Sequence, residues 1–235
     1  MTGPESDLAA RALAIHEALA PLYGAPIPYI HTLDPLSELV STMLNHRTRN
    51  RDAKAAFDAL RARWPDWAAV RDAPVHEVEA AIARVNWPER KAPAIQHALR
   101  EIAVRRGSLD LSFLSEMPVA EARTWLEAIP SVGPKTSAAV LSFSTLRRAA
   151  LPVDSHHHRV AQRTGLVGPK TAVGPSHAIL AGYLPPDWDA QAVDDHHQLF
   201  MQHGQRVCHW RGPACGRCAI LRLCPEGQAR AHRVA

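Results

Sequence analysis

The residues best suited to chemistry in this 235-residue chain are four cysteines near its end. Cys208, Cys215, Cys218 and Cys224 have the spacing C-x6-C-x2-C-x5-C, and no cysteine precedes them. A disulfide framework is normally spread over a fold, and the chain has no export signal, so clustered thiols indicate metal ligands. A structural zinc site usually offers two C-x2-C pairs, whereas a 4Fe-4S cluster takes four thiolates from a compact loop. The spacing therefore favours iron–sulfur, with zinc or reduced free thiols as the alternatives.

A second feature is a tight turn that leads into a predicted helix. Residues 129–136 read I-P-S-V-G-P-K-T and lie between a short predicted helix and a longer one. The start of a helix presents free backbone N–H groups and the positive end of the helix dipole, which suit a phosphate oxygen. A nucleotide P-loop does not fit, because its first glycine is missing and Pro134 separates Gly133 from Lys135. The other interpretation is a plain connector, with Lys135 a solvated charge.

This turn resembles the helix-hairpin-helix motif of the endonuclease III family of DNA base-excision glycosylases, which is usually close to L-P-G-V-G-R-K-T-A. Ser131 stands in place of the first glycine and Pro134 in place of a common arginine. Residues 153–160, V-D-S-H-H-H-R-V, resemble the V-D-T-H-x-x-R-V signature of the same family. The cysteine spacing is the one that this family uses for a 4Fe-4S cluster. The resemblance runs from about residue 30 to Cys224.

The resemblance implies that Lys135 is the nucleophile and Asp154 the catalytic carboxylate. A carboxylate stabilises the cationic sugar carbon that forms when an N-glycosidic bond breaks, and an amine then attacks C1′. Asp154 also precedes a predicted helix, so it is equally suited to an N-cap, and both roles can coexist. The adjacent histidines do not suggest a metal site, because three consecutive side chains on a helix cannot converge on one ion. Of these, only His156 matches a family position.

The resemblance also predicts which residues contact DNA. They are the hairpin residues, two side chains that replace an extruded base and one histidine: Ser131, Val132, Gly133, Pro134, Arg47, Trp87 and His156. Extruding a base costs a few kcal/mol, which inserted side chains offset. Alternatively, Trp87 packs against a helix and Arg47 is a solvated charge or a phosphate contact. Further cations are expected near the phosphates: Arg49, Arg51, Lys54, Arg90 and Lys91.

The pattern along the chain predicts the elements that must position these residues. Apolar residues recur at helical spacing, as in Leu36, Leu39, Val40, Met43 and Leu44, and convincing period-two alternation is absent. We therefore expect an all-α protein with about nine or ten helices. The resemblance implies two lobes: a six-helix barrel over residues 28–147, and an iron–sulfur domain over 1–27 and 148–235. DNA is expected in the cleft between them, with Lys135 and Asp154 facing each other.

Composition excludes several other classes of protein. The formal net charge is only +4, which does not by itself indicate a nucleic-acid partner. Hydrophobic residues make up 46%, which rules out a largely disordered chain. No run approaches the ~18 apolar residues of a membrane span, and no targeting signal is recognisable. We expect a monomer in the cytoplasm, nucleoid-associated and of bacterial type, that does not bind membranes.

The expected function is base-excision repair of double-stranded DNA that contains damaged bases or abasic sites. The resemblance implies removal of oxidised or otherwise damaged pyrimidines, followed by β-elimination through a lysine Schiff base. One alternative is a monofunctional glycosylase, because a lysine in this position does not prove a productive Schiff base. Another is a catalytically weak DNA-binding or redox-sensing iron–sulfur protein on the same scaffold, which the departures at Ser131 and Arg47 motivate.

Overall fold

A computed structural model describes residues 4–231, and this part of the chain is helical without strands. The all-α fold class is confirmed. Twelve α-helices are present within these residues, α1 to α12 in chain order, joined in places by 3-10 turns. They are Pro4–Tyr23, Pro35–Asn45, Asn50–Arg63, Trp67–Asp72, Val75–Ala81, Pro88–Arg106, Val119–Glu127, Pro134–Phe143, Ser155–Arg163, Val173–Ala181, Ala190–Arg206 and Pro225–Ala231. None of the described helices is long and apolar enough to cross a membrane.

The predicted count of nine or ten helices was too low for a physical reason. Helices α4, α5 and α12 are only six or seven residues long. That is two turns or fewer, too short for an apolar stripe to repeat.

The chain folds as two compact units. His31–Arg148 forms the unit that we call the hairpin unit, and Met1–Ile30 with Ala149–Ala235 forms the cluster unit. The sequence placed these boundaries at 27/28 and 147/148. Residues 1–3 and 232–235, which the predicted iron–sulfur domain included, lie outside the described residues.

The hairpin unit contains α2 to α8, seven α-helices where the sequence predicted six. Helix α2 begins as its sequence demands: Asp34 Oδ1 accepts from the N–H groups of Leu36 and Ser37 at 3.0 Å, and Pro35 occupies the first turn. Its predicted apolar stripe is buried throughout. At the far end of α6, Gly107 (φ 72°) adopts the left-handed conformation that ends many helices.

The cluster unit contains α1 and α9 to α12. Helices α1, α9 and α11 bury a core in which Ile15, Leu19, Leu199 and Phe200 are fully enclosed. The approach of α9 to α11 is very close, since a Cβ on Gly204 would lie 2.8 Å from His156 Cβ. Only a residue without a side chain fits there, so Gly204 sets the spacing of the two helices.

Candidate active site and cysteine cage

The hairpin turn lies between the end of α7 at Glu127 and the start of α8 at Pro134. The N–H of Val132 donates to the carbonyl of Ile129 at 3.1 Å, and Ser131 turns the chain with φ 68°. Gly133 is extended, and a Cβ there would meet no atom within 4 Å. No side chain caps the start of α8, because Gly133 occupies the N-cap position. This is the geometry expected of a phosphate site at a helix N-terminus.

Lys135 is the second residue of α8 and is half-buried. Its neighbourhood contains a buried carboxyl group and a half-buried imidazole that the sequence did not single out as site residues. Burial raises the pKa of Glu38 to about 7, while a hydrogen bond from Thr42 (2.9 Å) and the charge of Lys135 act in the opposite direction. Burial and the charges of Lys135 and Lys91 lower the pKa of His46 to about 4. The lysine therefore lies beside an uncharged imidazole and a carboxyl that titrates near neutral pH.

Asp154 is the N-cap of α9. Its Oδ1 accepts from the N–H of His156 at 2.9 Å and of His157 at 2.7 Å, so the capping role is present. Both bonds use one oxygen, and the side chain is only half-buried. Asp154 belongs to the cluster unit and Lys135 to the hairpin unit.

The three neighbouring histidines have different surroundings. His156 Nδ1 lies 3.1 Å from Arg159 Nη2, and His158 Nε2 lies 2.9 Å from the carbonyl of Thr171. His157 is buried with its ring centroid 4.5 Å from that of Phe200. The three rings therefore contact different neighbours of α9.

Three of the seven predicted DNA-contacting residues share an unusual backbone conformation. Arg47 (φ 49°), Trp87 (φ 57°) and Ser131 (φ 68°) are three of the four non-glycine residues with positive φ among those described. Such conformations cost roughly 1–3 kcal/mol each and collect at binding sites. All three residues are exposed, and Trp87 keeps 44% of its surface accessible, which argues against the alternative in which it simply packs against a helix.

One predicted phosphate contact is wrong. Lys91 is not at the surface: it is 9% exposed, and its Nζ donates to three oxygens within the hairpin unit. Sequence alone did not reveal this, because a lysine beside Arg90 in a polar stretch matches the composition of a surface.

The four cysteines line one pocket in the cluster unit. Two 3-10 turns, Cys215–Arg217 and Leu221–Leu223, fold the loop that carries these cysteines. Donors already point at two of them: Arg163 Nη1 lies 3.2 Å from Cys208 Sγ, and the N–H of Gly227 lies 3.2 Å from Cys224 Sγ. A Cβ on Gly227 would lie 3.2 Å from the same sulfur, so this contact needs a glycine.

In this cysteine cage, the pocket that the four cysteines line, the surroundings of two thiols favour their neutral form. Burial and the neighbouring thiols raise the pKa of Cys218 to about 11, and burial also raises the pKa of Cys224. Four thiolates can coexist there only around a metal group. Within residues 4–231, no three His, Cys, Asp or Glu side chains are placed to hold a single metal ion. The four cysteines are the residues of this pocket that could serve as thiolate ligands of a metal group.

Comparison with known proteins identifies the family. Residues 40–185 match the model of the HhH-GPD superfamily base excision DNA repair protein. An endonuclease III from Bacillus subtilis is 31% identical over 182 residues, covering 77% of this chain and 74% of that protein. This chain belongs to the HhH-GPD superfamily.

Other relatives place it in the endonuclease III branch of the superfamily. An endonuclease III from Synechocystis sp. is 29% identical over 219 residues, covering 93% of this chain and 94% of that protein. Among solved structures, a non-covalent endonuclease III–DNA complex superposes with a TM-score of 0.78 at 21% identity, over 95% of this chain and 98% of that one. The protein is a base-excision DNA repair glycosylase of the endonuclease III family.

Proposed function

We propose that this glycosylase is bifunctional: it removes damaged pyrimidines from duplex DNA and cleaves the resulting abasic site through a Schiff base on Lys135. The observation that carries the proposal is Lys135 itself, in the first turn of α8, which begins at the hairpin turn without a side-chain cap.

Asp154 and Lys135 divide the reaction between them. As the bond between C1′ and the base nitrogen breaks, the carboxylate of Asp154 stabilises the positive charge that develops on the sugar. The neutral amine of Lys135 attacks C1′, the base leaves with a proton, and opening of the C1′–O4′ bond gives the imine. Loss of a C2′ proton then breaks the C3′–O3′ bond, so the 3′ phosphate leaves and the strand is cut. Water hydrolyses the imine and restores the lysine.

The hairpin unit supplies the DNA contacts in this proposal. The turn residues Ser131, Val132, Gly133 and Pro134 place the uncapped start of α8 against a backbone phosphate. Arg47 and Trp87 enter the space that the extruded base leaves, where the arginine stacks and donates hydrogen bonds and the indole supplies a stacking face. His156 adds a contact at the start of α9. The protein acts as a monomer on DNA with damaged bases or abasic sites.

The four cysteines of the cage would hold a 4Fe-4S cluster. When bound, the cluster joins the loop of residues 208–224 into one rigid element. The chain prepares this loop with Arg163, which donates to Cys208 Sγ and also to the carbonyls of His209 (2.7 Å) and Trp210 (3.1 Å). The same arginine therefore neutralises charge at the cage and fixes the loop that follows Cys208.

Borohydride trapping tests the proposal directly, because it reduces an imine to a stable covalent link. The chain has four lysines, so the nucleophile can be identified by substitution. We expect the wild type to be trapped on a duplex with one oxidised pyrimidine, Lys135→Gln to lose both trapping and strand cleavage, and Lys170→Gln, at an exposed position, to behave as wild type. Normal trapping of Lys135→Gln refutes the assignment. Excision without trapping in the wild type indicates a monofunctional glycosylase.

A further inference from the structure

Lys91 is buried in the first turn of α6 and uses its ammonium group entirely within the hairpin unit. Its Nζ donates to the carbonyl of Leu44 at 2.6 Å, to the carbonyl of His46 at 2.8 Å and to Thr48 Oγ1 at 2.9 Å. An ammonium group has three protons, so each has an acceptor. A buried, fully bonded lysine has no proton left for a phosphate.

The three acceptors belong to the end of α2 and the segment that follows it. Carbonyls at the end of a helix lack intrahelical partners and carry the negative end of the helix dipole. Lys91 satisfies these groups and so fixes the chain on both sides of Arg47, whose φ of 49° is unfavourable without such support.

Lys91 also contacts the loop that contains Trp87. Its backbone N–H donates to the carbonyl of Trp87 at 3.0 Å, immediately before α6 begins. Asn86 completes the connection, since its N–H donates to Thr48 Oγ1 at 3.2 Å and its Nδ2 donates to the carbonyl of Arg47. Lys91 thus joins the loop that contains Arg47 to the loop that contains Trp87.

The same network reaches the catalytic hairpin. His46, whose carbonyl accepts from Lys91, has its Nε2 3.2 Å from Thr136 Oγ1, and Thr136 follows Lys135. Hydrogen bonds of Lys91, Asn86 and His46 therefore connect the loop of Arg47, the loop of Trp87 and the start of α8.

We propose that Lys91 is a positioning residue that holds Arg47 and Trp87 at a fixed separation, so that both enter the duplex together when a base leaves it. This inference rests on the proposed function of those two side chains. Insertion from two independent loops would lose the orientational advantage that a fixed pair retains. Lys91 acts through the loops and touches neither the DNA nor the reacting atoms.

The experiment compares two substrates that differ in whether a base must be extruded. Single-turnover rates are measured on a duplex with one oxidised pyrimidine and on the same duplex with a preformed abasic site, for wild type, Lys91→Met and the control Lys170→Met. We expect Lys91→Met to lose about tenfold or more on the base-containing duplex and less than about threefold on the abasic one, where no base is unstacked. Lys170→Met should keep the wild-type ratio of the two rates.

Other outcomes separate the possible failures. Equal losses on both substrates overturn the positioning role, as does a uniform weakening of binding with a salt slope smaller by about one, which marks a phosphate contact. If Lys91→Met does not fold, Thr48→Val removes the hydroxyl shared by Lys91 and Asn86 and must show the same selective loss. A wild type that excises no pyrimidine refutes the proposed function, whereas an active wild type with an unchanged ratio in both variants refutes only the role of Lys91.

Discussion

The hairpin unit and the cluster unit place their unfavourable features in different parts of their structure. All four non-glycine residues with positive φ in the described chain, Arg47, Trp87, Ser131 and Arg147, belong to the hairpin unit and are exposed. The buried histidines of the described chain belong to the cluster unit: His157, His158, His177, His196, His197 and His203. The hairpin unit thus has strained backbone at exposed positions, and the cluster unit collects the buried histidines.

This contrast implies different responses to mutation. Changes at Arg47 and Trp87 should alter DNA processing with little effect on folding, whereas changes among the buried histidines should alter stability. Asp154 bears most directly on this contrast, because it is a capping residue of the cluster unit and also a proposed catalytic group.

Asp154→Asn separates its two roles. Asparagine caps a helix about as well as aspartate, so we expect the free energy of unfolding to change by less than about 1 kcal/mol. Loss of the carboxylate charge should slow base excision about 100-fold or more. Thermal unfolding and single-turnover excision measure the two effects. Asp189→Asn, at the exposed N-cap of α11, is the control and should leave excision unchanged. Near-normal excision by Asp154→Asn would leave Asp154 as a cap only.

Cys218→Ser should remove most of the iron from the cluster unit and lower its stability. Purified wild type is expected to contain about four irons per chain and a broad yellow-brown absorbance. The variant should lose most of both and unfold at a lower temperature, because metal binding is coupled to folding. Ala219→Ser adds the same hydroxyl at the exposed neighbouring position and should retain iron. A colourless wild type that contains zinc would show that the iron–sulfur assignment is wrong.

Acid should destabilise the cluster unit through its buried histidines. Burial, with neighbouring histidines, lowers the pKa of His157 well below its usual value and that of His196 to about 3. A depressed pKa means that the unfolded chain binds protons first, so stability is complete above about pH 6.5 and is lost as the pH falls. The expected loss is about 1.4 kcal/mol per pH unit for each residue.

Urea unfolding of the iron-loaded protein between pH 7.5 and pH 5 measures this slope. His157→Leu removes one buried proton acceptor whose ring nitrogens have no hydrogen-bond partner among the described residues, so its slope should be shallower. His97→Leu, at an exposed position, should keep the wild-type slope. Identical slopes for all three proteins would contradict the assignment of acid sensitivity to this histidine.

Ser131→Gly should have the smallest effect. Glycine adopts positive φ without the strain that serine carries, and its greater freedom in the unfolded chain offsets part of the gain. We expect the free energy of unfolding to rise by up to about 1 kcal/mol, whereas Ser115→Gly, at an exposed position without positive φ, should lower it by about 0.5–1 kcal/mol. Equal losses in both variants would show that position 131 is not strained.

Sequence patterns predicted the helices with regular apolar stripes and the caps at Asp34 and Asp154, because these signals are local. They did not reveal the buried positions of Lys91 and Glu38 in the hairpin unit, since a charged residue in a polar stretch looks the same whether it faces solvent or an internal acceptor. The strain at Arg47 and Trp87 was equally hidden, because neither residue type favours positive φ. Its cause is tertiary: hydrogen bonds from Lys91 and Asn86 hold the chain there.

A panel of duplexes, each with one lesion, tests the proposed glycosylase and lyase activity directly. Each duplex is incubated with the iron-loaded wild type, and the strands are resolved before and after alkali treatment. The proposed bifunctional activity predicts strand cleavage without alkali at oxidised pyrimidines, and the same product from a preformed abasic site. Binding to these duplexes without any product, before or after alkali, would contradict it and indicate a DNA-binding protein without catalytic activity.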